Sequence, residues 1–306
     1  MAKPVVPIPI MNQPLRFTHL GALFALVIFW SLAFVMLKIA VASIPPATAA
    51  MSRLLIAALI LWLIMRLKGN QISLKWDHWR YYFLLGFVAN TLPFLLVLNG
   101  MQHIESGIGA ILMGAMPVGT VIMAHFFTDS AERLNLRKLI GVLTGLAAII
   151  LLIGPSALSG LGHHVFAELS VVGGALCFAV AAVVTRRAPD LPIPILSAGV
   201  MVAAAITALP IAILFDWPFD ITPTTEAYIA VVWLGIFPTG LATLLYFFVV
   251  LQAGTGFFAM SNYLVPIAGV FWGMLFLNET PGWHSLLSLL MILSGIWLVG
   301  PTKAKR

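Results

Sequence analysis

Ten long apolar runs divide this chain, and the positive charge between them falls in every second connection. Lys3 and Arg16 precede the first run, and Arg66, Lys68, Lys75 and Arg80 lie between the second and third. Arg133, Arg137 and Lys138 separate the fourth from the fifth, Arg186 and Arg187 the sixth from the seventh, and Lys303, Lys305 and Arg306 follow the tenth. These are fourteen of the sixteen Lys and Arg; the other two, Lys38 and Arg53, lie inside runs. Short basic loops of a bilayer-inserted chain stay in the cytoplasm, so the pattern predicts a multi-pass protein with both termini inside.

A residue mix that is 61% hydrophobic and 8% charged, with mean hydropathy +1.07, has too few polar groups to cover a soluble globule of 306 residues. A crossing takes about 20 residues, so ten crossings leave room for tails and short loops but for no soluble domain. The predicted spans are 18–42, 46–66, 79–100, 106–127, 137–153, 167–187, 193–215, 226–248, 256–277 and 283–300, an all-α integral membrane fold. The net charge of +6 belongs to the cytoplasmic loops and does not imply nucleic acid. The single cysteine, Cys177, reads as a small core residue within a span. Residues 1–17 read as a cytoplasmic tail without a secretory cleavage pattern, and 301–306 as a second cytoplasmic tail.

Prolines fall inside five spans: Pro93, Pro117, Pro210, Pro238 and Pro266. Each removes a backbone donor, and in lipid the freed carbonyl needs a neighbouring helix or a watered cavity. An internal repeat accompanies them. A shift of 148 aligns Trp30 with Phe178, Lys38 with Arg186, Pro46 with Pro194 and Thr91 with Thr239. Shifts of 149, 147 and 146 align Pro117 with Pro266, Glu132 with Glu279, and Gly154-Pro155 with Gly300-Pro301. The reading is a first repeat over 18–153, an external linker over 154–166 and a second repeat over 167–300. Five crossings per repeat force the second copy to enter from the opposite face, which gives the inverted topology of alternating-access carriers.

Two stretches carry a family resemblance. Trp30-Ser31-Leu32-Ala33-Phe34-Val35-Met36-Leu37-Lys38, then Arg53, then Pro117 followed by Glu132-Arg133, resembles the first repeat of EamA-type drug/metabolite transporters. Asn262-Tyr263-Leu264-Val265-Pro266 and Gly273-Met274-Leu275-Phe276-Leu277-Asn278-Glu279 resemble the more specific pattern of the second repeat. The resemblance implies a ten-helix basket of two inverted five-helix repeats, a central cavity lined by helices 1, 3, 4, 6, 8 and 9, and small-metabolite cargo, often amino acids or drugs moving outward. Ser31 stands where a glycine often follows the tryptophan, and Phe178 where a second tryptophan is common.

Trp30, Phe34 and Lys38 are spaced i, i+4 and i+8, a stripe about 12 Å long. The stripe admits two readings: a cavity wall ending in a charge for a substrate carboxylate, or a lysine snorkelling to the interface above core aromatics. Arg53 shares its depth, and the ten acids all fall in loops or at span ends. Helix carbonyls, water or an anionic ligand must therefore supply the counter-charge. Asn90 and Thr91, Tyr246, and Ser261, Asn262 and Tyr263 are polar groups in apolar surroundings, with Asn262 and Tyr263 just ahead of Pro266. Gly141 with Gly145 and Gly269 with Gly273 read as close-packing pairs. Glu132 and Glu279 read as loop carboxylates or as partners of a donor in one conformation.

Helix 1 offers no carboxylate, which disfavours cationic cargo; His125 is the titratable group best placed for a proton. His103, His163 and His164 show no metal-ligand spacing. The expected function is an exporter of amino-acid-like or carboxylate-bearing metabolites, with an uptake carrier, a drug exporter and a channel as alternatives. The expected site is Trp30, Phe34, Lys38, Arg53, Asn90, Tyr246, Asn262 and Tyr263, with Pro117 and Pro266 as hinges. No enzymatic motif, cofactor or metal is expected; the partners are a small-molecule substrate and the bilayer, and the chain is a monomer or homodimer.

Overall fold

The computed structural model describes residues 17–127, 136–158, 162–185, 189–253, 255–258 and 260–299, and among them every regular element is helical. The first half runs α1 (Phe17–Val41), α2 (Pro46–Leu67), α3 (Trp76–Gly86), α4 (Leu92–Met101), α5 (Ser106–Leu112), α6 (Ala115–Phe127) and α7 (Leu136–Leu158). The second runs α8 (Gly162–Thr185), α9 (Ile193–Phe215), α10 (Thr225–Leu234), α11 (Ala242–Ala253), α12 (Thr255–Phe258), α13 (Ser261–Leu277) and α14 (Trp283–Val299). Short π-helical turns, Phe87–Thr91 and Gly235–Leu241, join α3 to α4 and α10 to α11 without ending the span.

Among the described residues six helices are long and apolar enough to cross a bilayer: Phe17–Val41, Pro46–Leu67, Trp76–Met101, Val165–Ala182, Ile193–Phe215 and Thr225–Tyr246. Ser261–Leu277 and Trp283–Leu298 are shorter apolar helices, and Ser106–Thr120 is a shorter apolar stretch shared by α5 and α6. The surface carries large apolar side chains that no soluble protein would leave to water, among them Leu55, Leu59 and Leu63 on α2 and Phe271, Leu275 and Phe276 on α13. Hydrocarbon is the solvent this surface fits, and the protein is a multi-pass membrane protein.

The prolines resolve in three ways. Pro93 follows one π turn and Pro238 lies within the other. Pro210 and Pro266 sit within continuous α-helix. Pro117 is the third residue of α6, in a first turn whose amides have no helical partner anyway. The runs at 106–127 and 256–277 are not single helices. The first breaks at Met113 and Gly114, four residues ahead of Pro117, and the second breaks between α12 and α13, ahead of Pro266. The discontinuities thus precede both expected hinge prolines.

Helix α2 packs along α9 and α7 along α14, while α4 and α6 lie on α8 and α1 lies on α10, α11 and α13. The largest core cluster gathers Phe34, Leu37, Val97, Leu98, Met101, Ile111, Leu112 and Ile292 from α1, α4, α5 and α14. At the α7–α14 crossing, a methyl on Gly295 would meet the Gly141 carbonyl oxygen at 2.8 Å and the Gly145 amide at 3.3 Å. Small residues permit that approach, and close packing is what drives helix association in lipid. Gly295→Ala is expected to lower stability by about 1–3 kcal/mol through overpacking. Gly21→Ala on α1, where nothing lies within 4 Å, should be neutral or slightly stabilising in the same detergent melting assay.

Candidate functional site

The α1 stripe runs between the two halves, and each of its members is anchored. The Trp30 indole donates to the carbonyl of Pro238 at 3.3 Å. Its ring meets Phe258 edge-on at 5.9 Å, and Tyr246 meets the same Phe258 ring edge-on at 4.9 Å. One turn along, Phe34 is buried, wedged where Gly109 of α5 and Gly269 of α13 approach α1. Ser31 is fully buried and accepts the Trp272 indole N–H at 2.9 Å, tying α13 to α1. The hydroxyl at this departure from the family pattern is therefore an interhelical bond.

Lys38 completes the stripe. Its ammonium donates to the carbonyls of Met101 (3.1 Å), Gln102 (3.3 Å) and Ile104 (2.7 Å). Three ammonium donors meet three carbonyls at the C-terminal end of α4, where the helix leaves its last acceptors unpaired and its dipole is negative. The counter-charge the structure supplies for Lys38 is backbone carbonyls, one from the last residue of α4 and two from the loop that follows it.

Arg53 has a different environment. It is 4% exposed, and its guanidinium lies 3.8 Å from the centre of the Phe94 ring. Nε and Nη2 donate to the Thr239 hydroxyl at 3.2 and 2.7 Å. That hydroxyl is turned to accept because its own proton goes to the Leu234 carbonyl at 2.7 Å. Pro238, lacking an N–H, cannot serve that carbonyl in the usual i to i−4 pattern, so the π turn, Thr239 and Arg53 form one connected arrangement. No acid bonds to Arg53 among the described residues. The base is held by an aromatic face and one hydroxyl, with donor capacity to spare. Thr91, the repeat-mate of Thr239, donates to the Ala204 carbonyl at 3.0 Å and shares a 2.8 Å bond with Thr207 on α9. Phe94 and Thr239 escape a search for charged or polar clusters; the signal for Thr239 was its place beside Pro238 and opposite Thr91 in the repeat.

Asn90 in the first π turn and Asn262 at the start of α13 are half-buried and make no side-chain hydrogen bond among the described residues. Tyr263 lines a groove of about 570 Å³ between α13 and α14, together with Leu290, Leu293, Ser294, Trp297 and Leu298. Arg137 stands beside this groove, donating to the Trp297 carbonyl at 3.0 Å. The groove opens at the surface, apart from Arg53. The expected residues therefore fall in separate places: Trp30 with Tyr246, Phe34 in the core, Lys38 at the end of α4, Arg53 on Phe94 and Thr239, and Tyr263 by α14.

Glu279 is not a solvated loop carboxylate. Oε1 accepts from the Ser106 amide at 2.6 Å, and Oε2 from the Ser106 hydroxyl at 2.9 Å and the Gly107 amide at 3.0 Å. It thus caps α5 from the other half of the chain. At the same end Asp216 accepts from the Thr48 amide at 2.7 Å, and Thr224 donates its amide to Ser43 at 3.0 Å. Glu105, between α4 and α5, has its carboxyl held above the usual carboxylate range by burial and by the charge of Glu279, with Lys38 pulling the other way. Glu168, read as a span-end acid, lies inside α8 and is 3% exposed. Glu132, Arg133, Arg186 and Arg187 lie outside the described residues, as do the side chains of His125, His163 and His164.

Comparison with known proteins places the fold in a named group. The model of the EamA-like transporter family matches the chain twice, over residues 19–154 and 165–300. The chain belongs to the EamA-like transporter family. It is 26% identical over 284 residues to the uncharacterized transporter YoaV of Bacillus subtilis, covering 91% of this chain and 95% of that one. It is 26% identical over 286 residues to the uncharacterized inner membrane transporter YedA of Escherichia coli K12, covering 91% and 89%. Protein PagO of Salmonella typhimurium is 24% identical over 297 residues, 93% of each chain. A solved crystal structure, 19% identical, superposes with a TM-score of 0.65 over 93% of this chain and 98% of its own, a likeness of fold. The protein is a membrane transporter.

Thr239→Val keeps the shape of the π turn's side chain while removing the acceptor of Arg53 and the donor to Leu234. A loss of about 1–3 kcal/mol is expected from the unsatisfied buried groups, read as a lower melting temperature, and Thr239→Ser should restore most of it.

Proposed function

We propose that this chain is an alternating-access carrier built of two inverted halves, exporting small amino-acid-like or other carboxylate-bearing metabolites. The observation that carries the substrate class is Arg53, a buried guanidinium on Phe94 and Thr239 with no acid bonded to it among the described residues. A cation in the membrane interior without an acidic partner suits an anionic group that arrives and leaves, and a carboxylate fits the guanidinium fork. In this reading Trp30, bonded to the Pro238 carbonyl beside Thr239, stands on the Arg53 side of the cavity together with Tyr246 and with Phe34 behind them. Asn90, Asn262 and Tyr263, which lie apart here, join it in another state of the carrier. Lys38, with its donors on carbonyls, stands outside the cargo site.

The packing supports the inverted halves. If α1 exchanges with α8, α2 with α9, α3–α4 with α10–α11, α5–α6 with α12–α13 and α7 with α14, several of the main helix contacts map onto one another, while α1 on α10 and α5 on α13 are closer than their images. The pairs α2–α9 and α7–α14 are their own images. The pair α4–α8 answers α11–α1, α6–α8 answers α13–α1, α3–α9 answers α10–α2, and α9 on the first π turn answers α2 on the second. Gly86 meets the backbone of α9 where Gly235 meets α2. Paired broken helices and self-exchanging contacts are the architecture on which two states of similar energy rest. The alternating basic loops support termini on the cytoplasmic side. Outward movement follows the direction usual among the proteins the sequence resembles.

The test is reconstitution. Small carboxylates that raise the melting temperature of the purified protein are expected to drive saturable counterflow in proteoliposomes, which a channel does not support. Arg53→Lys keeps the charge and loses the planar fork. Counterflow of a carboxylate cargo should fall at least about tenfold in it, a change equivalent to roughly 1.4 kcal/mol. Full counterflow in a folded Arg53→Lys protein would remove Arg53 from the site.

A further inference from the structure

The loop between α4 and α5 is clamped from two sides by opposite charges. Lys38 of α1 holds the carbonyls of Met101, Gln102 and Ile104, and Glu279, beyond α13, holds the amides of Ser106 and Gly107 and the Ser106 hydroxyl. We propose that Lys38 and Glu279 form a gate that seals this end of the bundle, and that the end opens when the Glu279 carboxylate withdraws from the start of α5. The gate rests on the carrier reading above, which makes this end the external one.

Glu279 is aimed by the local chain. Asn278 takes the left-handed conformation, φ 52°, and ends α13, and the Glu279 amide bonds back to the Gly273 carbonyl at 3.2 Å. Asparagine tolerates that conformation better than most residues other than glycine. Gly273 is the second requirement, because a methyl there would collide with Oε2 of Glu279 and come within 2.7 Å of the Ser106 hydroxyl. The Gly273 to Glu279 stretch, read in the sequence as a family pattern, is thus a device for presenting one carboxylate.

The element held is small and set apart. Helix α5 has seven residues and is separated from α6 by the break at Met113 and Gly114. Helix α5 packs on α13 and α1, whereas α6 packs on α7, α8 and α14 and makes no comparable contact with α13 among the described residues. The two helices are therefore joined along α5 and diverge along α6, which is the shape of a bundle closed at the Glu279 end. A capped, charged contact across such a seam has two discrete arrangements, made and unmade, as a switching element requires. In sequence the same residue types recur in the other half at shifts of 147 to 149: Arg186 for Lys38, Thr255-Gly256 for Ser106-Gly107, and Glu132 for Glu279.

The experiment is thiol labelling. Cys177 is the sole cysteine, so Cys177→Ser provides a blank background. Val270 is 6% exposed in the α5–α13 seam, its Cα 3.4 Å from where a methyl on Gly107 would stand, and Val270→Cys is the reporter. A membrane-impermeant maleimide added from outside should label it slowly, and at least tenfold faster once Glu279→Gln is introduced. Lys38→Met should also accelerate labelling. Ser106→Ala, which removes one donor of three, should give an intermediate rate and is the arm to read if Glu279→Gln does not yield monodisperse protein. Unchanged labelling in folded Glu279→Gln or Ser106→Ala protein would reduce Glu279 to a helix cap and overturn the gate. Acceleration only from the face bearing the termini would overturn it as well. Labelling needs no cargo, so absent counterflow with accelerated labelling sinks the carrier reading, and intact counterflow with unaccelerated labelling sinks the gate alone.

Discussion

A backbone carbonyl or amide in hydrocarbon has no water to turn to, and the polar contacts of this protein follow from that shortage. Continuous helices satisfy their own groups. The places where this chain interrupts a helix are therefore the places where side chains must finish the bonding. Lys38 closes the end of α4, Glu279 the start of α5 and Asp216 the start of α2. Thr239 takes the carbonyl that Pro238 abandons, and Trp30 takes the carbonyl of Pro238 itself. A chain with few polar groups has placed them at breaks in its helices, so residues that read as candidate ligands are also structural.

This double duty explains what was legible in the sequence. The apolar runs and the alternation of basic loops gave the all-helical membrane class, because bilayer thickness and charge placement act on composition alone. The motif from Asn262 to Glu279 carried the family. The partners of the two internal bases were not legible, since Lys38 and Arg53 share a depth in the sequence and nothing local distinguishes a carbonyl cluster 63 to 66 residues away from an aromatic face on α4. The same five prolines gave two π turns, one helix start and two uninterrupted helices, because a proline fixes only the loss of a donor, and tertiary neighbours decide how the carbonyl is answered. Glu168 shows the limit from the other side: an acid two residues into a predicted span is buried because α8 begins five residues earlier than read.

The candidate site was less legible than the fold for a further reason. Spacing along one helix brings Trp30, Phe34 and Lys38 onto one face, but that face crosses three different neighbours: the π turn before α11, the α5–α13 seam and the end of α4. A stripe continuous in sequence is therefore divided among three tasks. Arg53 draws its surroundings from α4 and from the far half of the chain, through contacts 186 residues distant that no local pattern records.

The two π turns carry one more implication, for how this protein's length can vary over time. A π turn holds an additional residue relative to an α-helix, and by widening it absorbs the rotation of about 100° that a residue added to a regular helix would impose on everything beyond it. Deleting one residue from Phe87–Thr91 or Gly235–Leu241 would restore a regular helix and leave Phe94 or Tyr246 on its present face, but it would take away the widened turn in which Thr239 answers the Leu234 carbonyl. A change of length at the centre of either span is thus absorbed where it occurs, and what it alters is the bonding of one turn and not the facing of the helix beyond it.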